Sequence, residues 1–489
     1  MYVCGPTVYD VPHLGHGRAM LVYDVLRRYL EARGVHVVHV SNVTDVDDKI
    51  LERAAQEDRQ PAEVAEQFEQ VWWDASDRLG VLRPTHAPRA TEYVGDMVAL
   101  IAELVDHGVA YEAQSGVYME AEAVPGYGLL ALQDISSLQM GARVELEEGK
   151  RSPVDFALWK RSLPGELSWP SPWGPGRPGW HTECVVMSLD LLGEGFDLHA
   201  GGLDLRFPHH ENERAQAVAL GRRFARHWMH HGFVEVDGQK MSKSLGNFTS
   251  LTDLLERTDP RAYRLLVLRS HYRKPLEVTP ATVADAEAAL SRLDALVRRF
   301  PVALSAAPTL PGGQLLAGPK TQVSSAELLR AAGASWAGAV ATQAGPMQPG
   351  VIQAGDTQAP SGDAELDDLV YQVVSRFCER MDDDLDTPGA LSLIFEVIRS
   401  ANAAADRGED VSAGALAATV VKLARSVGIE PRCEGDEVPQ EVVDLLDERD
   451  RARSSRDFAV ADAIRDHLKA LGWVVEDGPS GTRLRRSGT

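Results

Sequence analysis

Tyr2-Val3-Cys4-Gly5-Pro6, followed by Pro12-His13-Leu14-Gly15-His16-Gly17-Arg18, opens the chain and decides how the rest is read. Tyr2-Val3-Cys4 has the composition of the last residues of a buried strand, and Gly5, Pro6, Pro12 and Gly15 punctuate a loop. From Arg18 onward Val22, Val25, Leu26, Tyr29 and Leu30 recur at helical spacing, and Gly34 is a natural stop just past the last turn. Val35 to Val40, with Val43, reads as a second strand. Strand, glycine-bearing loop, helix and strand make a βαβ unit, the start of a doubly wound, Rossmann-type parallel sheet.

That rhythm holds over residues 1–110, the first half of a nucleotide-binding domain. Residues 111–175 break it with turn-rich stretches, Pro125-Gly126-Tyr127-Gly128 and the Pro/Trp/Gly run from Trp169 to Trp180, and read as a connective insertion. The second half, 176–250, resumes with the short strand Phe196-Asp197-Leu198-His199 and a helix through Glu211 to Leu220. Helical patterns then cover Leu251 to Leu255, Ala262 to Leu268 and Thr279 to Phe300, and return from Leu366, so 251–300 and 364–432 form an all-α region. Between them, 301–363 is poor in charge and rich in Ala, Gly, Pro, Gln and Ser, the composition of a flexible insertion. A small terminal domain occupies 433–489.

The 489 residues leave room for several domains, and no apolar run is long enough to read as a membrane span. Met1 is followed by Tyr2-Val3-Cys4-Gly5, with no basic region and cleavage site, so no secretory signal is expected. Cys4, Cys184, Cys378 and Cys433 are scattered rather than spaced as a disulfide framework, which fits a reducing cytoplasm and leaves thiols for metal or chemistry. A net charge of −22 argues mildly against a nucleic-acid partner. Fields act locally, however, and Arg222-Arg223 with Arg226, and Arg483, Arg485 and Arg486, are candidate basic patches against the plainer reading of solvated faces.

Three groups of residues carry chemistry. His13 and His16 flank Gly15 just before a helix, where backbone N–H groups and the helix dipole favour phosphate and imidazole N–H can steady the charge of a departing pyrophosphate. H-x-G-H by itself is a weak signal, and its place on a strand-to-helix turn is what strengthens it. Lys240-Met241-Ser242-Lys243-Ser244 puts two ammonium groups on a stretch rich in Gly, Ser and Asn, suited to a mobile loop that follows triphosphate charge. Finally, Phe207-Pro208-His209-His210-Glu211-Asn212-Glu213 opens a helix on which His209 and Glu213, four apart, share a face. A His and a carboxylate so placed can take two positions of a tetrahedral zinc site, with Cys184 and Cys4 as the available sulfurs. Each cysteine alone is more often a small buried hydrophobe. His210 competes with His209 but points about 100° away on a regular helix, which makes it the weaker candidate.

Together these segments resemble the cysteinyl-tRNA synthetases, a family of class I aminoacyl-tRNA synthetases. The resemblance is carried by Cys4 to Asp10 leading to His13-Leu14-Gly15-His16, and by Asn42-Val43-Thr44-Asp45-Val46-Asp47-Asp48-Lys49. It continues through Ser171-Pro172-Trp173-Gly174, Gly179-Trp180-His181-Thr182-Glu183-Cys184, Phe207 to Glu213, Lys240 to Ser244 and Arg456 to Asp462. It implies that His13, His16, Lys240 and Lys243 carry ATP-dependent activation, with Gly15 and Asp204 also at the nucleotide. It makes Cys4, Cys184, His209 and Glu213 the ligands of one Zn2+, and places Gly5, Thr44 and Trp180 around the amino acid. ATP would come with Mg2+, and the partners implied are L-cysteine, ATP and tRNA(Cys), with no membrane, for a cytoplasmic monomer. The helical region and the terminal domain would contact the tRNA stem and anticodon.

The resemblance also suggests how cysteine is told from serine, since pocket shape discriminates poorly at the scale of one atom. A zinc that takes the substrate thiolate selects sulfur over a neutral hydroxyl and makes an editing site unnecessary. Three features depart from the family pattern. The chain starts almost on the first expected ligand, where relatives have further residues upstream; 301–363 has no equivalent; and Leu484 stands where a tryptophan is common. The nearest rival is a cysteine ligase of mycothiol synthesis, which makes the same adenylate but passes cysteine to an amino-sugar and needs no anticodon-binding piece. A non-catalytic RNA-binding paralogue has no need of His13, His16, Lys240 and Lys243 together, and a generic nucleotidyltransferase leaves the metal set unexplained.

Overall fold

β1 (Tyr2–Val3) lies inside a four-stranded, all-parallel sheet of order β2-β1-β7-β8, formed with β2 (Val40–Ser41), β7 (Leu198–Gly202) and β8 (His227–His231). Tyr2 pairs with Val40 on one side and with His199 on the other. The computed structural model describes residues 1–132, 149–163, 165–236, 239–240, 250–301, 303–304, 362–433, 440–455, 457–471, 473–478 and 481–486. The chain leaves β1 towards β2 and returns at β7 on the opposite side, so β1 and β7 flank a topological switch point. Ligands bind in such a crevice, beyond the C-terminal ends of the strands. The expected doubly wound parallel sheet is therefore present. The strand expected over 35–40 is shorter, however, because Tyr2 and Val3 offer partners only to Val40 and Ser41.

α1 (Leu14–Ala32) starts four residues earlier than the apolar spacing indicates. His13 is its N-cap. The His16 N–H donates to His13 Nδ1 and the His13 N–H to His16 Nδ1, both at 3.2 Å, so two imidazoles close a reciprocal capping box. Gly15 and His16 thus sit inside the first turn rather than before the helix, and Gly34 (φ +84°) ends the element as expected.

α2 (Asp48–Glu57), α3 (Pro61–Arg78) and α4 (Val94–Asp106) precede an antiparallel sheet of β3 (Ala110–Ala113), β4 (Gly116–Met119), β5 (Phe156–Arg161) and β6 (Gly176–Pro178). Trp159 is fully buried at its centre and shares a core with Ile101 and Leu104 of α4 and with Val185 of α5 (Trp180–Leu192). Asp48, in the first turn of α2, ties this insertion down by accepting from Lys160 (2.5 Å) and Arg177 (2.8 Å).

After β7 come a wide turn over Arg206–His210, in which Phe207 is extended, and α6 (Glu211–Ala219). β9 (Val234–Val236) pairs with β10 (Gln239–Lys240) and β11 (Leu276–Glu277), and between them run α7 (Leu251–Arg257) and α8 (Pro260–Leu268). α9 (Pro280–Arg299), α10 (Gly362–Asp382), α11 (Thr387–Asp406) and α12 (Asp410–Ser426) complete the expected helical region. The proposed flexible insertion at 301–363 lies almost wholly outside the described residues. One continuous core runs from Leu21 and Leu26 of α1 through Leu265, Leu293 and Phe377 to Leu423. Burial of each such side chain is worth about 1.5–3 kcal/mol. A buried pair between Asp24 of α1 and Arg264 of α8 (2.5 Å) crosses that core, with Arg264 also donating to Leu79 O and Gly80 O.

A terminal module follows. α13 (Gln440–Ser454), α14 (Phe458–Ala470) and the hairpin β12 (Trp473–Gly478)–β13 (Gly481–Arg486) enclose a core of their own, Val442, Ile464, Leu468 and Trp473. Among the described residues no helix is long and apolar enough to cross a membrane.

Candidate metal centre and nucleotide site

Cys4 follows directly on β1, its N–H donating to Ala200 O of β7 (3.1 Å), so its sulfur enters the crevice at the switch point. Cys184 arrives from the second turn of α5, and His209 and Glu213 from the wide turn and the start of α6. The donor atoms of these four residues all lie within 4.8 Å of one another. The two sulfurs are 3.8 Å apart, Cys184 Sγ is 3.6 Å from His209 Nε2, Cys4 Sγ is 3.7 Å from Glu213 Oε1, and His209 Nε2 is 3.0 Å from Glu213 Oε1.

Zinc bonds of about 2.3 Å to sulfur and about 2.0 Å to N or O, set tetrahedrally, separate donors by about 3.8 Å (S–S), about 3.5 Å (S–N or S–O) and about 3.3 Å (N–O). The observed spacings follow that pattern, so chemistry and geometry of the set both fit a zinc.

A second grouping, Cys4, His199, His210 and Glu213, shares two of these residues. His210 does reach Cys4 (Nε2 to Sγ 3.3 Å), contrary to the divergence expected from a regular helix, because Arg206–His210 is a wide turn with Phe207 at φ −141° and ψ 132°. His199 Nε2 and Glu213 Oε2 are only 2.5 Å apart, a hydrogen-bond length too short to straddle a metal. His199 instead holds the carboxylate oxygen that faces away from His209, leaving Oε1 for the centre. His181 does the same for His209, Nδ1 to Nδ1 at 2.9 Å. Outer partners of this kind orient ligands.

Electrostatics agree. Burial pushes the Cys184 thiol up, but the Cys4 thiol and His209 outweigh it and bring the group down to about 6. Burial raises Cys4 well above the usual thiol range. Burial opposes the Glu213 carboxylate, yet His199 and His209 hold it well below its ordinary value. His209 is penalised by burial and still raised to about 10 by Glu213 and Cys184, while burial takes His181 down to about 3. Shared protons thus hold the donors together, and a divalent cation does the same with those protons displaced.

The remaining expected residues surround this centre. A Cβ on Gly5 would lie 1.6 Å from Asn42 O, so only glycine allows the chain after β1 to pass that close, and the Gly5 N–H donates to Asn42 Oδ1 (2.9 Å). Buried Thr44 donates from Oγ1 to Glu183 (2.7 Å). Burial raises the Glu183 carboxyl well above its usual range. Trp180 stacks on the His209 ring (centroids 4.0 Å) while keeping 37% of its surface exposed.

At the start of α1, the rings of His13 and His16 stack at 3.6 Å. Each Nδ1 accepts a main-chain N–H, so the proton of each neutral ring sits on Nε2. Asp204 follows Gly202 at the end of β7, where a Cβ would meet Asp204 Oδ1 at 2.4 Å. Lys240 ends β10, opposite Glu235. Lys243 lies outside the described residues. The described end of that segment, Ser250, bridges His13, and the Leu251 N–H donates to Pro12 O (2.8 Å).

Sequence reasoning missed His181, His199 and Glu183. His181 and Glu183 lay within the quoted stretch around Cys184, but His199 becomes visible only once β7 is known to pair with β1. Of the basic patches, that at 222–226 takes the plainer reading, Arg222 pairing with Glu103 and Arg226 with Asp197, while the side chains of Arg483, Arg485 and Arg486 lie outside the described residues.

The fold is shared with solved class I enzymes. The methionyl-tRNA synthetase of Mycobacterium tuberculosis, in complex with methionyl-adenylate, superposes with a TM-score of 0.57 over 87% of this chain and 89% of that one, at 17% identity. A LeuRS of Agrobacterium radiobacter K84, in a ternary complex, does so at 0.59 over 87% and 83%, at 11% identity. Residues 1–288 match the catalytic-domain family of class I (C) tRNA synthetases, 376–429 the DALR domain, and 435–485 the cysteinyl-tRNA ligase anticodon binding domain. Fold and site together define a class I aminoacyl-tRNA synthetase. Curated cysteine–tRNA ligases align almost end to end: that of Caldicellulosiruptor saccharolyticus is 39% identical over 99% of this chain and 95% of its own length, and that of Moorella thermoacetica 42% over 100% and 95%. The chain belongs to the cysteinyl-tRNA synthetase family and is a ligase.

Proposed function

We propose that this chain activates L-cysteine with ATP and transfers it to the 3′-terminal adenosine of tRNA(Cys). The carrying observation is the donor set Cys4, Cys184, His209 and Glu213, spaced as the corners of a zinc tetrahedron just past β1, from which the chain runs on to His13 and His16 at the start of α1.

Those four residues would hold the zinc. When bound, zinc supplies a soft Lewis acid that takes a thiolate in preference to a hydroxyl. Trp180, stacked on His209 and partly exposed, walls the space beside it. Gly5, held against Asn42 next to Cys4, would line the amino-acid site, and Thr44 is fixed by Glu183.

In the first step a carboxylate oxygen of cysteine attacks the α-phosphorus of ATP, and pyrophosphate leaves with the P–O bonding pair. Nε2–H of His13 and His16 donates to phosphate oxygens at the α1 N-terminus, where Gly15 permits close approach. Lys240 and Lys243 would neutralise the leaving pyrophosphate, with Mg2+ accompanying the nucleotide and Asp204 contributing to its binding. In the second step a ribose hydroxyl of the terminal adenosine attacks the acyl carbon, AMP departs with the C–O bonding pair, and the hydroxyl proton passes to its phosphate. No side chain serves as nucleophile, so positioning and charge stabilisation supply the rate. The helical region and the terminal module take the tRNA, a reading supported by the match of 435–485 to an anticodon binding domain, which the amino-sugar ligase does not need.

Charging of tRNA with labelled cysteine, zinc present and serine as control, tests this. Cysteine should be charged and serine not. Cysteine-dependent ATP–pyrophosphate exchange without charging would move the assignment to the amino-sugar ligase, and neither reaction would overturn it.

A further inference from the structure

One buried cation joins the nucleotide helix to the sheet that carries Lys240. Arg18, in the second turn of α1, is fully buried. Its guanidinium donates to Phe233 O (2.7 Å), Lys274 O (2.5 Å), Tyr272 O (3.0 Å) and His271 O (3.4 Å). Every acceptor it reaches among the described residues is a main-chain carbonyl. A buried charge held only by dipoles demands that they keep one geometry, because each lost carbonyl leaves charge uncompensated.

Those carbonyls belong to the roots of β9 and β11. The Leu276 N–H also donates to Phe233 O (2.9 Å), and the Gly232 N–H to Tyr272 O (2.8 Å). Lys240, on β10, hangs from β9 opposite Glu235. The main chain of Lys240 is thus referred back to α1 through Arg18.

Residues 271–273 are gripped from the other side by a different part of the chain. Asp384 Oδ1 accepts from the Tyr272 hydroxyl (2.6 Å) and Arg273 Nη2 (3.0 Å), Oδ2 accepts from Arg273 Nε (2.6 Å), and His271 Nε2 is 3.6 Å from Oδ2. Asp384 sits in the turn between α10 and α11, where Asp384 and Leu385 both have φ +53°. Two successive left-handed residues, neither a glycine, persist only where the surroundings over-determine them. Two residues earlier, Asp382 binds Arg33 (2.8 Å) and Tyr29 (2.6 Å) at the far end of α1, so the same turn holds both ends of the arrangement.

We propose that Asp384 is a positioning residue for adenylate formation. Through Tyr272, Arg273 and the carbonyls of 271–274 it fixes Arg18, and with it the separation of the α1 N-terminus from the Lys240 strand. This rests on the activation chemistry proposed above. The plainer alternative is that Asp384 only glues the helical region to the catalytic domain.

The test compares the whole enzyme with Asp384→Ala, Tyr272→Phe and the control Glu396→Ala, which breaks an exposed pair with Arg376 on the same two helices. Cysteine-dependent ATP–pyrophosphate exchange is measured per active site, the sites being counted by the burst of adenylate. Wild-type protein without exchange would sink the activation reading itself, and is checked first. With wild type active, Asp384→Ala should lose about ten- to a hundredfold in kcat per site, the range a misplaced positioning group costs. KM for cysteine should stay put, as expected for a group that acts only on the transition-state geometry. Tyr272→Phe keeps the ring, drops one hydrogen bond and should lose less in the same direction, while Glu396→Ala matches wild type. Fewer active sites at wild-type turnover would make Asp384 a structural tie and overturn the proposal. Should Asp384→Ala not fold, unchanged turnover in Tyr272→Phe overturns it equally.

Discussion

The metal set and the start of α1 are built in opposite ways. On the metal side Cys184, His209 and Glu213 are buried, and His181 and His199 buttress the last two from behind. On the nucleotide side His13 and His16 are half-buried, and Lys240 closes a strand of two residues. The difference fits the two tasks proposed for them. Telling a thiol from a hydroxyl requires donors fixed in a dry cavity before substrate arrives, since competing water and loose ligands both weaken selection. Handling a triphosphate requires cations and N–H donors that can follow charge as it moves to the leaving group, which a rigid buried site would not permit.

Substitutions on either side should therefore separate cleanly. Cys184→Ser removes a proposed zinc ligand, and should cost cysteine activation more than the about 10–100-fold that loss of an outer partner costs. ATP binding should survive. Elemental analysis and exchange kinetics check this together, and full zinc stoichiometry in the variant would remove Cys184 from the ligand set. Lys243→Ala is the mirror experiment. It should lower the rate of adenylate formation by about a hundredfold, as removal of one charge-stabilising donor does, with zinc content and cysteine affinity intact. An unchanged exchange rate would break the division of labour between the two sides.

Much of this was legible in the sequence, for identifiable reasons. Cys4, Gly5, His13, Gly15 and His16 sit on one strand-turn-helix, so chain order alone brought them together. His209 and Glu213 were linked by helical spacing, which survives although the turn before α6 is irregular. The start of α1 was misplaced because Gly15 reads as a loop residue, and nothing in apolar spacing reveals that two imidazoles cap each other's backbone. His199 was hidden for a different reason. Its part in the site comes from pairing between strands almost two hundred positions apart, and register of that kind leaves no trace in either strand alone. The turn at Asp384 is likewise invisible, since an aspartate run reads equally well as a solvated loop.

His199→Gln is a finer probe of the metal side. It keeps a side chain in place but replaces an imidazole that holds Glu213 Oε2 at 2.5 Å. Metal affinity should fall about ten- to a hundredfold, the usual cost of an outer partner, with less effect on turnover once zinc is saturating. Competition with a chromogenic chelator reads this directly, and wild-type affinity would mean that Glu213 needs no such support.

The smallest effect on activation is expected furthest from the crevice. Among the described residues, Trp473 belongs to a core of four buried residues, none of them in the main core. Truncating a buried tryptophan to alanine costs about 3–5 kcal/mol, more than so small a module can spare. Trp473→Ala should therefore melt the terminal module by itself, visible as an added low-temperature transition. Charging of tRNA should fall while cysteine-dependent exchange stays at the wild-type rate, because none of the module's described core residues belongs to the cores that carry the metal set and α1. A parallel fall in exchange would mean that the terminal module supports the crevice after all, and the contrast between its two sides would then have to include a third region that stabilises both.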